Sequence, residues 1–410
     1  MNAEIICIGT ELLLGHIVNT NTSFLSQKLA EAGIDVYHHI AVGDNHARLI
    51  AAFRQALSRA DIVITSGGLG PTVDDITIET LASLIGRKLI LNKMLLKDVK
   101  EYFISKKIKF PKESIRQAYI PEGVKWVHNN VGTAPGIIAE YADKVIICLP
   151  GPPREIEPMF VKELVPYLKK RLAANWVIKS RTIKIAGSAE SQVDGKVRDL
   201  LNLKPPTTVG IYAKLGQVDL KIMSKARSDR KANIAISKIE RKIRARFKDH
   251  IFGCDDETLE GAVGEILTAK KKTIAFAESC TGGLVSNRIT NVGGSSRYFK
   301  MAVVAYSNTI KENILGVSWA LLTKYGAVSR QVALEMAKGI KFLACVDIAV
   351  SVTGIAGPTG ATKYKPVGLV YVALVTGKKQ IVKEFRFKGS REEVKFQASQ
   401  VALDLIRRNI

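Results

Sequence analysis

No histidine occurs beyond His250: the six in the chain are His16, His38, His39, His46, His128 and His250, and residues 251–410 carry none. Cysteine is sparse. Five are present (Cys7, Cys148, Cys254, Cys280, Cys345), scattered without paired spacing, which excludes a disulfide framework or a cysteine-rich zinc site and leaves reduced thiols. No stretch approaches the roughly 20 consecutive apolar residues that span a bilayer. Glu4 and Glu11 stand where a signal peptide would need a basic start and an apolar run. A cytoplasmic protein with no membrane partner is expected. Acidic residues are also outnumbered, 38 Asp+Glu against 61 Lys+Arg, for a net charge of +23. A composition of 47% hydrophobic residues over 410 positions excludes disorder as the main state and allows two or three domains.

The positive excess is uneven. Residues 171–250 hold 19 basic and 7 acidic side chains, whereas residues 1–170 hold 20 and 18. Apolar runs alternating with helical patterns open the chain: Glu4–Ile8, Thr20–Ala32, Asp35–Ile40, Ala47–Arg59 and Asp61–Thr65. Such alternation implies a mostly parallel sheet covered on both faces. From about Ser180 the order becomes strand, helix, strand, strand and a long basic helix over Asp229–Phe247, a small α+β module. The pattern of the first segment then returns. The expected fold is α/β: two three-layer α/β domains at residues 1–170 and 253–410, joined by a basic α+β module at 171–252.

The excess charge prompts a nucleic-acid hypothesis. Helix Asp229–Phe247 groups Arg230, Lys231, Lys238, Arg241, Lys242, Arg244 and Arg246, but Phe247 is its only aromatic and the module has no Gly-x-x-Gly clamp. Without a stacking platform or clamp, a solvated lysine-rich face is expected and specific nucleic-acid binding is not.

In Thr273–Val285 an apolar strand runs into Glu278-Ser279-Cys280-Thr281-Gly282-Gly283 and then a helix. A strand-to-helix turn exposes its residues at the carboxyl edge of an α/β sheet, where ligands bind, and its backbone N–H groups can hold an anion. Ser279 and Cys280 are therefore candidate nucleophiles, although a serine there also serves as a plain N-cap. Without a histidine in this domain a Ser-His-Asp arrangement is excluded. A neutral lysine is the available base; Lys311, among Ile310, Ile314 and Leu315, is a candidate, as is its reading as a surface cation. A further turn, Thr353-Gly354-Ile355-Ala356-Gly357-Pro358, offers more backbone donors or is a simple chain reversal.

At the other end, Ile8-Gly9-Thr10-Glu11 closes the first strand and Ser66-Gly67-Gly68-Leu69-Gly70-Pro71-Thr72-Val73-Asp74-Asp75 follows Asp61–Thr65. Glycines at strand ends let backbone N–H groups approach an anion, and Asp74 and Asp75 offer hard oxygen donors. Neither a P-loop ending nor a Rossmann fingerprint is present, and the paired acids also suit a helix N-terminus.

With Gly294-Ser295-Ser296, Ala305-Tyr306-Ser307-Asn308 and Gly326-Ala327-Val328-Ser329, the C-terminal turns resemble the CinA (competence/damage-inducible) family, whose C-terminal domain is similar to nicotinamide mononucleotide amidohydrolases. With Asn19-Thr20-Asn21, Gly132-Thr133-Ala134-Pro135-Gly136 and Leu149-Pro150-Gly151-Pro152-Pro153-Arg154-Glu155, residues 1–165 resemble that family's molybdopterin-binding (MoCF-like) domain. His16 stands where the family commonly has glutamine. The resemblance implies a cofactor-free serine–lysine hydrolase in the pyridine nucleotide cycle, with Ser279 as nucleophile, Lys311 as base and Tyr306 as a positioning group. Glu278, Cys280, Thr281, Gly282, Gly283, Arg288, Gly354, Ala356 and Gly357 fall at its substrate site, with Arg288 or Arg297 as phosphate donors. It also implies an ADP-ribose pyrophosphatase releasing AMP and ribose 5-phosphate. There Gly9, Thr10, Glu11, Asn21, Gly67, Gly68, Gly70, Pro71 and Thr72 would take the ligand, and Asp75 with Asp74 a divalent metal (Mg, Mn or Co). A homodimer is implied. The alternative is a molybdopterin-type binding protein or a nucleic-acid-associated competence protein without pyrophosphatase activity.

Overall fold

Strict alternation along the first strand sorts its side chains into two cores. The computed structural model describes residues 1–171 and 176–410 and divides into two units, Met1–Lys179 with Lys225–Asn233, and Ser180–Ser224 with Ile234–Ile410.

In the first unit, strands β1 (Asn2–Ile8), β2 (Asp35–Val42) and β3 (Ile62–Ser66) are followed by β4 (Leu89–Leu91) and β5 (Tyr119–Pro121), which form a separate two-stranded antiparallel sheet, and then by β6 (Lys125–Val127), β7 (Gly136–Tyr141) and β8 (Lys144–Leu149). The main sheet has the order β2-β1-β3-β8-β7-β6, parallel through β8 and antiparallel at β7 and β6. Ala3, Ile5 and Cys7 pack with Leu25, Leu29 and Phe160 on one face. Ile6 and Ile8 pack with Leu49, Phe53 and Leu81 on the other. Because successive strand residues point to opposite faces, these two cores are the two helix layers of a three-layer domain.

The second unit carries two sheets. Strands β9 (Val177–Ala186), β10 (Thr207–Lys214), β11 (Gln217–Ala226) and β12 (Ile251–Cys254) order as β10-β11-β9-β12. The closing strand β12 was not anticipated: four residues between a charged helix and a turn leave little periodic signal. The C-terminal sheet orders β14-β13-β15-β16-β17 from β13 (Ile274–Glu278), β14 (Phe299–Val304), β15 (Ile348–Gly354), β16 (Leu369–Val375) and β17 (Gln380–Arg386). Its first three strands are parallel and the last two antiparallel. Ile274 and Phe276 join Val263, Leu267, Ala398 and Leu403 on one face, and Ala275 and Ala277 join Val332, Met336 and Ile340 on the other. Parallel β13, β14 and β15 therefore send their carboxyl ends to one edge.

Phe276 and Phe342 make a test of this layering, being fully buried and 87% exposed respectively. Phe276→Ala should cost about 3–5 kcal/mol and Phe342→Ala no more than about 0.5 kcal/mol, read from the urea midpoint of the C-terminal transition. Equal effects would contradict the assigned core.

Candidate functional site

Strand β13 ends at Glu278, whose buried carboxylate accepts the backbone N–H groups of Gly283 (3.0 Å), Val285 (3.1 Å) and Ser286 (2.8 Å) together with the Ser286 hydroxyl. A carboxylate at a helix start satisfies amides that have no partner within the helix. It bends the chain through Ser279–Gly283, where Gly282 (φ 61°) and Gly283 (φ 96°) take left-handed conformations that favour glycine. Ser279 N–H donates to Val352 O on β15 (2.9 Å), and Gly282 N–H to Ser279 O (3.1 Å). The amides of Cys280 and Thr281 face the Cys280 sulfur and donate to no backbone oxygen of the turn among the described residues.

Lys311 enters from helix Asn308–Asn313, which follows β14. It is 1% exposed. Its Nζ lies 3.3 Å from Ser279 Oγ and 2.6 Å from Ala305 O, and no carboxylate pairs with it among the described residues. Burial lowers its pKa from the ordinary lysine value, since an ammonium without a counter-ion is poorly solvated there. Cys280 shares the turn, but burial pushes its thiol up to about 12, leaving it protonated near neutrality. Between the two candidate nucleophiles, the geometry favours the hydroxyl.

Several residues expected at the substrate have other roles. Glu278 caps the helix and is not offered to a ligand. Arg288 is buried, its guanidinium bonded to Ser399 Oγ (2.8 Å), Glu260 Oε2 (2.7 Å) and Gln400 Oε1 (2.8 Å) and set over the Phe396 ring. All its reach is taken by ties between helices. Thr281 is fully buried, with its hydroxyl unpartnered among the described residues. Gly354 pairs with Val370 within the sheet, where a Cβ would meet Leu369 O. Gly357 (φ 82°) and Ala356 remain on the turn after β15. Tyr306 is 61% exposed, and its hydroxyl accepts from Arg391 Nη2 (2.8 Å), whose Nη1 donates to Gly357 O (2.7 Å).

Sequence reasoning missed Arg391. It missed Lys395 too, whose Nζ lies 3.8 Å from where a Cβ on Gly282 would stand. Their spacing of four on helix Arg391–Asn409, which places both on one face, was the available signal.

The amino-terminal turns line a cavity of about 480 Å³ at the carboxyl ends of β1, β3 and β8. Gly9, Glu11, Gly67, Gly68, Gly70, Pro71, Thr72, Asp74 and Asp75 are on its wall, as expected. Thr10 and Asn21 are not. Thr10 donates through N–H and hydroxyl to Asp44 Oδ2 (2.9 and 2.8 Å), and Asn21 ties Ser66 Oγ to Gly151 O (2.8 and 2.7 Å). Glu155, the last residue of the Leu149–Glu155 block, joins the lining, as do Asp44 and Gln117, which no motif marked. Asp75 accepts from Thr72 N–H (2.9 Å) and Oγ1 (2.6 Å). A Cβ at Gly9 would collide with the Glu11 carboxylate, and one at Gly70 with that of Asp75. Among the described residues no three carboxylates, histidines or cysteines gather into a closed cation site. The carboxylates on the wall nevertheless suit a hard cation shared with a ligand's phosphates, which takes only one or two protein carboxylates.

Comparison with known proteins covers the whole chain. Residues 256–410 match a family model described as the CinA C-terminal domain, residues 4–170 one described as a molybdopterin binding domain, and residues 180–253 one described as the damage-inducible protein CinA KH domain. The KH match comes without a Gly-x-x-Gly clamp in that segment. A competence-damage inducible protein of Caldicellulosiruptor saccharolyticus is 47% identical over 410 residues, covering 100% of this chain and 99% of that protein. A CinA-like protein of Kosmotoga olearia is 45% identical over 408 residues, covering 100% and 98%. A crystal structure of CinA from Thermoplasma acidophilum is 38% identical and covers 39% of this chain and 95% of that one, with a TM-score of 0.37. No helix among the described residues is long and apolar enough to cross a membrane.

Lys311 carries a pH signature. A lysine whose folded pKa lies below its ordinary 10.5 binds fewer protons folded than unfolded between the two values, so stability rises with pH across that window. Relative to Lys311→Met, the urea midpoint of the native protein should climb from the lowered pKa up to about pH 10.4. Parallel curves would contradict a buried, uncharged Lys311.

Proposed function

The chain belongs to the CinA family, and from that premise we propose that its C-terminal domain hydrolyses the carboxamide of nicotinamide mononucleotide to nicotinate mononucleotide and ammonia. The observation that carries this reading is the Lys311 amine, buried without a counter-ion and 3.3 Å from Ser279 Oγ. Neutral Lys311 takes the Ser279 proton as the oxygen attacks the amide carbon. The Cys280 and Thr281 amides receive the oxyanion. The Gly282 and Gly283 amides are engaged within the turn. The lysinium returns its proton to the departing ammonia, and water then attacks the acyl-enzyme with Lys311 again as base. Arg391 and Lys395 supply the phosphate donors that Arg288 does not, and Arg391 holds the Tyr306 hydroxyl at the rim.

The amino-terminal cavity supports a second activity, cleavage of ADP-ribose to AMP and ribose 5-phosphate. Asp75, with Asp74 and Glu11, would hold a divalent cation (Mg, Mn or Co), which supplies charge neutralisation to a diphosphate when bound. Thr72 fixes the Asp75 carboxylate through two hydrogen bonds, and the Gly67–Gly68 and Gly70 turns let backbone approach the phosphates. The resemblance also supports a cytoplasmic homodimer serving pyridine nucleotide recycling.

Ammonia release from nicotinamide mononucleotide should persist in EDTA and fall by at least about a thousandfold in Ser279→Ala and Lys311→Ala, with Cys280→Ala retaining turnover. Loss in Cys280→Ala with retention in Ser279→Ala would overturn the nucleophile.

With ADP-ribose and Mn²⁺ or Co²⁺, AMP release should drop in Asp75→Asn, and by about tenfold to a hundredfold in Thr72→Val, the expected size for an outer partner of a metal ligand. No AMP from the native protein with any of these metals would sink the pyrophosphatase reading.

A further inference from the structure

Strands β13 and β15 start where they are farthest from Ser279, about 17 Å away at the usual rise per residue over the five residues of β13. At that amino edge lies a cavity of about 550 Å³. We propose that it is a second ligand site of this domain, for an amphipathic anion of the nucleotide class.

Five lysines face it: Lys270, Lys272, Lys341, Lys378 and Lys379. They come from three places in the chain, before β13, on the helix before β15 and between β16 and β17. Lys270 and Lys341 sit at the ends of helices Leu259–Ala269 and Arg330–Ala344, where a cation also suits the helix dipole. Each bonds a backbone oxygen, of Ile410 (2.8 Å) and Val346 (3.0 Å). Lys378 and Lys379 belong to the β16–β17 turn, where no helix ends, and Thr376 Oγ1 fixes that turn by accepting both their N–H groups (3.2 and 2.9 Å). Neither ammonium has an acidic partner among the described residues.

The one acidic side chain on the wall, Asp347, is bound to Lys272 Nζ (2.8 Å) and to the Thr273 amide and hydroxyl (2.9 and 3.0 Å). Its charge is already met. The floor is apolar, from Val346 and Ile348. An apolar floor under a converging cationic rim takes a flat hydrophobic body bearing phosphate, in a volume typical of small-molecule sites. Catalysis does not use these residues, and this inference stands apart from the proposed reactions.

Cys345 reports on occupancy. It lines the same cavity and is the one exposed thiol of the five, Cys254 being half-buried and the others buried. Labelling of the full chain by dithionitrobenzoate, an anionic aromatic disulfide, is followed at low salt, with the rate in Cys345→Ser subtracted. The Cys345 thiolate attacks one reagent sulfur, a mixed disulfide forms and thionitrobenzoate leaves.

AMP should slow this reaction saturably, about tenfold at ten times its Kd, and far more than inorganic phosphate does at equal ionic strength. Lys378→Gln with Lys379→Gln should abolish the protection while the circular dichroism stays native. The proposal fails if AMP gives no protection, if salt of equal ionic strength slows labelling as much, or if the double variant is protected equally.

Discussion

An amine buried without an acid beside it has one inexpensive state, the neutral one. That constraint on Lys311 governs the C-terminal domain. The Ala305 carbonyl and the Ser279 hydroxyl are its hydrogen-bond partners, and neither offsets the cost of a buried ammonium. A domain without histidine thereby holds an amine of lowered pKa beside a serine hydroxyl. The same burial that lowers the amine raises the neighbouring Cys280 thiol, so one apolar environment arms the lysine–serine pair and silences the cysteine.

The arrangement depends on a carboxylate that does no chemistry. Glu278 gathers three amides and a hydroxyl of the following helix, and this fixes which amides of the turn remain free beside Ser279. Arg288, on that helix, is anchored by Glu260, Ser399 and Gln400. Gln400 in turn accepts no such role alone, since its Nε2 donates to Gln217 Oε1 at the β10–β11 turn (3.3 Å). The nucleophile turn is thus held from its own strand, from its helix and through the final helix. At the amino-terminal site Thr72 plays the corresponding part for Asp75.

Much of the architecture was legible in the sequence. Long apolar strands such as Lys144–Leu149 and helices such as Asp229–Phe247 have the bounds that their periodicity indicates, because burial on two faces or one stripe leaves a pattern. Strands of three or four residues, β4, β5, β6 and β12, did not stand out, since their pairing partners decide them. At the sites, the strand-end turns and Lys311 stood out, whereas Asp44, Gln117, Arg391 and Lys395, brought in from elements that carry no motif, did not. Arg288 and Glu278 were misplaced for a shared reason. Proximity to a motif does not say which way a side chain points, and both turn inward. The net charge of +23 bore least on the candidate sites, whereas the absence of histidine after residue 250 directed attention to lysine as the candidate base.

The central claim is that Lys311 is neutral at the pH where Ser279 must lose its proton. Titration of the lysine side-chain amines by ¹⁵N NMR, with the Lys311 resonance assigned from Lys311→Met, tests it most directly. The account predicts that the Lys311 amine titrates below the ordinary lysine value, a displacement that burial also gives Lys365. A Lys311 that titrates with the surface lysines would contradict it.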